Sequence, residues 1–396
     1  MKPMKDLDAL LSTPRGRDFL LSNGIHADAA SFRAALSPPE DDRLARTSGA
    51  GHGPFVHMHQ QIYVDYRPSV LAKVFTLDAL AEAGVHPAFL WIDTDRAASD
   101  KLACRFYWPF EGALRAMKIL PPGLGSVETR FAQVDPPRTL AAYRRITAYI
   151  RGDKRQPEAA ALARLSTLRA HMLAREAVPL RDYGLGMTHA LFTAHLAVDH
   201  PHVVVSDLLE RGWLTPAIED VLAVLPAVIA AWNARVSSLN DDGIATAVGK
   251  LPTDYLPLYV SDPEDGARLR LRHEIAGADH FATAQGNSGR TLRYFLGTRR
   301  LQLDELTETG RWSPDVTLPL LANALFSGWV AGRSSALYAL VFRTIMTDVL
   351  GERPIPILVP CPAADPRPAA TSLLHAYVTG AALSRPDARA ASSVAS

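Results

Sequence analysis

Cysteine is scarce in this chain, and neither sign of charge dominates it. Only two cysteines, Cys104 and Cys361, occur among 396 residues, and they lie far apart. This excludes a disulfide framework and argues against a cysteine metal site. Lys and Arg number 42 against 41 Asp and Glu, a formal net charge of +1, so no basic imbalance points to nucleic acid. We therefore expect a protein of the reducing cytoplasm.

The chain also lacks a long apolar run. The most apolar window, 221–232, is too short to span a bilayer and contains Pro226. Acidic residues interrupt the apolar run of the N-terminal segment MKPMKDLDALL, so no signal peptide is expected. We expect no membrane partner. The hydrophobic content of 48% is nevertheless ample for a large core, and the length suggests one to three domains.

The most informative stretch is residues 54–95, where apolar runs alternate with polar clusters. One apolar run begins at Pro54, a helical pattern after Ser69 stops at Gly84, and a second run, AFLWID, ends at Asp93. This order predicts a strand, a polar loop, a helix with Ser69 as its N-cap, and a buried strand. In such a βαβ unit the strand ends and the helix start meet at one sheet edge, where open α/β sheets bind ligands.

The pattern changes twice further along the chain. Strand-like segments continue to about residue 135, helical patterns fill the next hundred residues, strands return, and helices precede a last buried strand, IPILVP. An α/β core split by a helical insertion is therefore predicted. The predicted segments are N-terminal helices and linker (1–53), the first part of the core (54–136), the helical insertion (137–250), a β-rich segment (251–310), the C-terminal part of the core (311–384) and a disordered tail (385–396).

Four polar side chains follow the first predicted strand: His57, His59, Gln60 and Gln61. We place them in a loop, 57–61. The two histidines would share a face on a strand, and this spacing can bind a metal or place one imidazole on a phosphate. No clear third ligand lies nearby, so no metal site is expected. A structural histidine pair is the alternative.

Two carboxylates, Asp93 and Asp95, end the second predicted strand. At the carboxyl end of a strand they can hold a ribose, a magnesium ion or a substrate amine. Capping of the following segment, DRAASDKL, is the structural alternative. Two acids in three positions exceed what one cap needs, so a functional role is predicted.

One basic side chain lies on the predicted helix between these strands. Lys73 follows Ser69 by one turn on an otherwise apolar pattern. A cation at that position can reach phosphates held at the N-terminus of the helix. The alternative is a surface lysine whose stem lies along the helix and whose ammonium stays in water.

A small, glycine-rich segment, GWVAGRSSALY, comes directly before a late helix. Backbone amides after Gly332 can cradle a phosphate or a carboxylate. Ser334 and Ser335 can donate hydroxyls, and Arg333 is a natural anion clamp. A tight joint between packed helices is the structural alternative.

Other polar clusters have simpler interpretations. HLAVDHPH (195–202) indicates a polar helix terminus that Pro201 ends, followed by a turn. YGLGMTH (183–189) lacks the preceding strand that a phosphate loop needs, and AQGNSGR (284–290) is typical of a hairpin loop. The alternation of RLRLRHE, which begins at Arg268, predicts a half-buried strand with a basic face.

With these residues in view, the chain resembles the cysteine-adding ligase family of bacillithiol biosynthesis. Members have a Gln-Gln loop, a Gly-Pro turn, a helix with an early lysine, and a Pro-anchored apolar strand ending in acids. Late in the chain they have a Gly-rich loop, a helix with an aromatic residue and a closing Pro-rich strand. The matching segments here are Gln60-Gln61, Arg67-Pro68, Lys73, PAFLWIDTD, AGRSSALYALVF and RPIPILVPCP.

The resemblance covers residues 54–100 and 318–362, and the middle only loosely. It implies a core shared with class I aminoacyl-tRNA synthetases and nucleotidyltransferases, in which a histidine-bearing loop after the first strand contacts nucleotide phosphates. The expected fold class is α/β, with a Rossmann-like parallel sheet core, a helical insertion and a small β-rich segment. Asp-Thr-Asp-Arg replaces the family's histidine-bearing strand end, and serines replace glycine or proline in the late loop. We therefore expect a divergent member that uses another amine or acid.

The functional expectation is a cytoplasmic biosynthetic enzyme that joins an amino acid to a small-molecule acceptor through a C–N bond. ATP and magnesium are the candidate cofactors, and a homodimer is left open. The alternatives are an ATP-dependent nucleotidyl or adenylate-forming transferase and a non-catalytic nucleotide- or metabolite-binding protein. The candidate catalytic residues are His57, His59, Asp93 and Asp95, and the candidate cofactor-binding residues are Gln60, Gln61, Lys73, Gly332, Arg333, Ser334 and Ser335.

Overall fold

A six-stranded parallel sheet forms the centre of the computed structural model. The structure describes residues 6–49, 53–97, 104–153, 157–246, 248–315, 324–360 and 372–381. The strands are β1 (Ile25–His26), β2 (Phe55–Gln61), β3 (His86–Ile92), β4 (Arg105–Phe110), β5 (Ala113–Lys118), β6 (Gln133–Val134), β7 (Val178–Pro179), β8 (His202–Val204), β9 (Tyr255–Ser261), β10 (Arg268–Ala276), β11 (Asp279–Gln285), β12 (Thr291–Gly297), β13 (Trp312–Pro314), β14 (Gly328–Val330) and β15 (Ile357–Leu358).

Helices surround this sheet and fill the connections between its strands. They are α1 (Leu7–Leu11), α2 (Pro14–Ser22), α3 (Ala29–Ala35), α4 (Arg43–Thr47), α5 (Pro68–Glu82), α6 (Pro136–Gly152), α7 (Glu158–Thr167), α8 (Arg169–Met172), α9 (Leu180–Leu191), α10 (Val205–Glu210), α11 (Thr215–Ala223), α12 (Leu225–Asp241), α13 (Asp304–Glu308), α14 (Arg333–Ile345) and α15 (Leu373–Thr379). Short π-helical turns, Phe192–Leu196 and Met346–Leu350, continue α9 and α14.

The strand order of the central sheet is β8-β3-β2-β14-β15-β1, and all neighbouring pairs are parallel. From β2 the chain builds outward to β3 and β8, and later returns to β14 and β15 on the other side of β2. The direction of winding therefore reverses between β2 and β14. In a doubly wound sheet such a reversal opens a crevice at the carboxyl ends of the two strands. The expected α/β fold with a parallel sheet core is confirmed.

Both faces of the sheet are covered, which explains the apolar runs of its inner strands. On one face Val56 and Met58 of β2 share a core with α5 and α9. On the other face Trp329 of β14 packs in a core with α12 and α14. Successive residues of a strand point to opposite faces, so β2 supplies side chains to both layers.

The first βαβ unit matches the sequence pattern with two differences. Helix α5 begins at Pro68, with Arg67 as its N-cap, so Ser69 lies inside the first turn and the prediction that it caps the helix is wrong. Proline suits the first helical position because its missing N–H has no partner there. Strand β2 continues to Gln61, so the polar residues 57–61 belong to the strand and not to a loop. Alternation then directs these side chains to two different faces.

A second, five-stranded antiparallel sheet has the order β12-β11-β10-β9-β13. It confirms the β-rich segment, and residues 286–290 join β11 to β12 as the predicted hairpin loop. The alternation of LQLDEL (301–306) predicts a strand, but residues 304–308 form α13. In the alternating β10, Leu271 and Arg268 are buried while Arg270 and Arg272 are exposed.

Several short strands lie where helices, turns or loops were predicted. The sequence predicts a turn at His202 inside the helical block, but His202–Val204 is β8, a parallel partner of β3. It predicts a loop at Gly328–Val330, but this segment is β14, and β1 likewise joins the sheet edge. Strand β4 pairs with β5, which was not predicted, in a separate hairpin. The strands β1, β8 and β14 are only two or three residues long, which leaves too short a pattern for periodicity to detect.

Some predictions fall outside the described residues. They include the end of the DRAASDKL segment at 98–102, the start of the helical stretch at 316–323, and the tail at 385–396. Within the described part of the chain no single helix is long and apolar enough to cross a membrane. The helices α11 and α12, bent by 79°, meet that test only as a pair, by length and composition.

Candidate functional site

A cavity of about 900 Å³ opens at the carboxyl edge of the central sheet, where the winding reverses. Its walls come from the ends of four strands and the first turns of the two helices that follow β2 and β14. The size is typical of a small-molecule site. The lining residues are His59, Gln60, Gln61, Tyr63, Ser69, Val70, Ala72, Lys73, Ile92, Asp95, Ala331, Gly332, Arg333, Ser334, Ser335, Tyr338, Val359 and Pro360.

Lys73 forms a buried cationic centre in the cavity wall. Its side chain is only 6% exposed. Nζ donates to the backbone carbonyl of His59 at 3.0 Å and to Oε1 of Gln60 at 2.8 Å. Both acceptors are neutral, and no described carboxylate forms an ion pair with the ammonium. Burial lowers the pKa of Lys73 to about 8. The alternative of a surface lysine with its ammonium in water is therefore wrong.

The N-terminus of α14 lies beside the stem of Lys73. A Cβ on Gly332 would sit 4.0 Å from Lys73 Cδ. The N-cap residue, Gly332, has no side chain to cap this helix, and the first internal hydrogen bond runs from the amide of Ala336 to the carbonyl of Gly332. The amides of residues 333–335 are the helix's first donors, and they carry the positive end of its dipole. The cavity thus combines a buried ammonium with a helix N-terminus.

The side chain of Arg333 is engaged elsewhere. Its guanidinium pairs with Asp8 of α1. The predicted anion clamp therefore already has an acidic partner, although Arg333 still contributes to the cavity wall. Ser334 and Ser335 also line the cavity, and Tyr338 follows Ser334 by one helical turn.

Asp95 supplies the negative charge of the cavity. It is reached by Nε2 of Gln61 and, at 3.3 Å, by a terminal guanidinium nitrogen of Arg268. Its side chain is 35% exposed. Gln60 and Gln61 point to opposite faces of β2, so one contacts Lys73 and its neighbour contacts Asp95. These consecutive amides bind the two charges on different sides of the strand.

Arg268 holds Asp95 from the second sheet. The guanidinium lies 3.5 Å from the ring centre of Tyr259 and 3.4 Å from Oε1 of the fully buried Glu128. Glu128 also pairs with Arg130 at 2.7 Å. A buried carboxylate with two cationic partners and hydrogen bonds is well satisfied. This network fixes the side of the cavity that carries Asp95.

Asp93 lies apart from the described cavity lining. Its carboxylate is fully buried and accepts hydrogen bonds from the backbone N–H of Ser206 at 3.1 Å and its hydroxyl at 2.5 Å. Arg181 lies 3.7 Å away. Burial raises the pKa of Asp93 to about 6, opposed by these partners. The carboxylate therefore caps α10, and residues 98–102 of the segment DRAASDKL lie outside the described residues.

The two histidines have different surroundings. His57 is 1% exposed and lies between aromatic rings, 4.2 Å from the ring centre of Phe326 and 6.2 Å from that of Trp329. Neither of its ring nitrogens has a hydrogen-bond partner among the described residues. Burial, with the charge of Lys73, lowers the pKa of His57 to about 3. It is a neutral core residue outside the described lining.

His59 lines the cavity and rests on Trp329 at 4.2 Å between ring centres. Its Nδ1 is buried without a hydrogen-bond partner among the described residues. Burial, His57 and Lys73 together hold its pKa well below the usual range. Both imidazoles are therefore neutral at pH 7. Their ring centres are 6.0 Å apart, but no group of three or more His, Cys, Asp or Glu side chains in the described ranges could hold a metal.

The remaining clusters serve the fold. His202 accepts a hydrogen bond from the indole of Trp91 at 3.0 Å, and His200 pairs with Asp78 at 3.2 Å. In YGLGMTH, Gly184 lies inside α9, where an added Cβ would approach Ile62 Cγ2 to 2.4 Å. That glycine permits close helix–strand packing, which supports the doubt about a phosphate loop.

The structure therefore brings together nine of the eleven candidate residues and leaves out His57 and Asp93. It adds Tyr338 and Val359, and it places Arg268 behind Asp95. Tyr338 lies four residues after Ser334 on the same helix, so helical spacing predicts that it faces the cavity too. Val359 lies in the predicted strand IPILVP, whose carboxyl end reaches the same edge of the sheet. Arg268 gave no such signal, because its contact with Asp95 depends on how the two sheets pack.

Comparison with known proteins gives no match to a family model. No curated protein matches the chain significantly either.

Proposed function

We propose that the chain is an enzyme that joins an amino acid to a small-molecule acceptor through a C–N bond. The observation that carries the proposal is the separation of charge in the cavity. Gln60 contacts the ammonium of Lys73, while Gln61 contacts the carboxylate of Asp95. Such a reaction needs an acid and an amine side by side, and the cavity offers a complementary group for each.

In this proposal the acid binds at Lys73 and the first turn of α14. Among the described residues the buried ammonium has only neutral partners, so a ligand carboxylate or phosphate would supply the anionic partner. Amides at a helix N-terminus add donors aimed at the same anion. As negative charge develops on the acyl or phosphoryl oxygens, preorganised donors in a shielded cavity stabilise it more than water does.

The amine binds at Asp95, which lines the same cavity at the carboxyl edge of the sheet. Gln61 and Arg268 orient this carboxylate and leave it partly open to the cavity. His59 is neutral because burial lowers its pKa, so it contributes a hydrogen-bonding imidazole and no competing positive charge. Its role here is to orient the substrate between the two charged groups.

A nucleoside triphosphate fits this arrangement better than a protein-bound magnesium ion does. Lys73 and the amides of residues 333–335 suit phosphate oxygens. Asp95 is the one carboxylate among the described lining residues, and it already accepts from Gln61 and Arg268. Magnesium would therefore bind chiefly to phosphate oxygens and water. A bound nucleotide would supply activation of the carboxyl group.

The second candidate is an ATP-dependent nucleotidyl or adenylate-forming transferase. The position of the cavity favours it, because doubly wound sheets bind nucleotides at the reversal between their central strands. The two candidates differ in their products. Pyrophosphate release without a new C–N bond would select the transferase.

The test is a product screen with the full chain. Single amino acids are combined with panels of small acids and amines, with and without ATP and magnesium, and products are identified by mass spectrometry. We expect a condensation product with the wild type and the surface control Glu308→Gln, and a loss of at least tenfold in rate with Asp95→Asn or Lys73→Met. Ligand binding with no product from any combination would indicate a non-catalytic binding protein and contradict the proposal.

A further inference from the structure

The contacts of Lys73 also suit a neutral amine. An uncharged Nζ has two N–H groups and one lone pair. Its two described partners, the carbonyl of His59 and Oε1 of Gln60, are both acceptors. They satisfy two N–H groups, so the lone pair of the nitrogen is left over in a residue that lines the cavity. No described carboxylate holds the proton on this nitrogen.

The cavity can bring a carbonyl group to that nitrogen. The first turn of α14 lies against the stem of Lys73, with the Cβ position of Gly332 at 4.0 Å from Cδ. A ligand anion held by the amides of residues 333–335 would place its neighbouring carbons beside the lysine. The hydroxyl side chains of Ser334 and Ser335 line the same wall.

We propose that Lys73 is a reactive amine that forms an imine with an anionic carbonyl compound, a 2-oxo acid or a phosphorylated aldehyde, bound in this cavity. The Nζ lone pair adds to the carbonyl carbon, the carbonyl electron pair moves to oxygen, and a proton passes from the nitrogen to that oxygen. The carbinolamine then loses water as the C=N bond forms. No oxidant or reductant takes part.

Burial makes this reaction favourable for Lys73 in particular. Only the neutral amine is nucleophilic, and buried lysines lose their proton more readily. With the pKa lowered from 10.5 to about 8, the neutral fraction at pH 7 increases about 300-fold over an ordinary lysine. Lys118 and Lys250 are exposed and serve as internal controls.

The proposal uses the anion site of the proposed function but does not require C–N ligation. The full chain is treated at pH 7 with less than one equivalent of pyridoxal 5′-phosphate, an anionic aldehyde, and the imine is then reduced with borohydride. Peptide mapping is expected to find Lys73 modified at least tenfold faster than Lys118 or Lys250. Inorganic phosphate should slow the modification, and Lys73→Arg should abolish it.

The outcomes separate the two proposals. Modification of Lys73 at no more than the rate of the exposed lysines would overturn the imine proposal. If phosphate or ATP still raised the melting temperature in that case, the anion site would stand without the imine chemistry. Rapid, phosphate-sensitive modification together with an empty product screen would support the reactive lysine and contradict the ligase.

Discussion

Replacing Lys73 by methionine is expected to change the stability of the protein in a pH-dependent way. The pKa of Lys73 falls from 10.5 in the unfolded chain to about 8 in the folded protein. At ~1.4 kcal/mol per pKa unit, the buried ammonium lowers the free energy of unfolding by about 3 kcal/mol at pH 7. Because the folded-state value is the lower one, the unfolded chain binds more protons between the two pKa values. Stability therefore rises with pH through that window and is lost as pH falls through 8.

Methionine removes the charge and keeps a stem of similar length. It also leaves the carbonyl of His59 and Oε1 of Gln60 without their donor, at about 1 kcal/mol each. At pH 7 the variant should therefore be about 1 kcal/mol more stable than the wild type. Between pH 7 and pH 9.5 the wild type should gain about 2 kcal/mol relative to the variant, since its ammonium deprotonates.

The assay is urea unfolding of both proteins at pH 7 and pH 9.5, followed by circular dichroism. Lys118→Met is the matched control, because Lys118 is exposed on β5. We expect no pH-dependent difference for that variant. A difference between Lys73→Met and the wild type that is the same at both pH values would refute the reasoning, because it would show that Lys73 is not destabilised by burial of its charge.

Other substitutions distinguish residues of the cavity from residues that stabilise the fold around it. The pKa of His57 is about 3 in the folded protein and 6.5 in the unfolded chain. The free energy of unfolding therefore falls as the pH drops below 6.5, by about 2 kcal/mol between pH 7 and pH 5. His57→Leu should remove this loss when unfolding is measured across that pH range. Asp93→Asn should lower stability by roughly 1–3 kcal/mol in urea without changing ATP affinity, whereas Asp95→Asn should impair turnover with little loss of stability, and the reverse pattern would contradict the assignment. An added Cβ at Gly328 would meet Leu36 Cδ2 at 2.7 Å, but at Gly332, an N-cap, only Lys73 Cδ at 4.0 Å, so Gly328→Ala should lower the melting temperature more than Gly332→Ala does.

The sequence was sufficient to predict the first βαβ unit and most of the cavity edge. Apolar runs of strand length and a helix bounded by Pro68 and Gly84 leave few other arrangements. By the rule that parallel strands present their carboxyl ends at one edge of the sheet, the neighbours β2 and β3 bring Gln61 and Asp95 together. The same rule brought the segment after β14 to the cavity, although β14 itself was not recognised.

The errors have a common physical origin. His57 and His59 lie in a strand, so alternation and the packing of Trp329 and Phe326 decide their surroundings. Asp93 is only two residues from Asp95, yet it caps a helix more than a hundred residues later in the chain. Such long-range contacts depend on how the elements pack, and local patterns do not encode them.

The central claim is that an anion binds to Lys73 at the point where the sheet reverses its winding. Titration calorimetry with ATP at pH 8, in two buffers of different ionisation enthalpy, tests it most directly. An anion beside Lys73 raises its pKa, so the wild type should take up as much as about half a proton per bound ATP. Lys73→Met should bind at least tenfold more weakly and take up none. Equal binding by both proteins, or binding without proton uptake, would contradict the account.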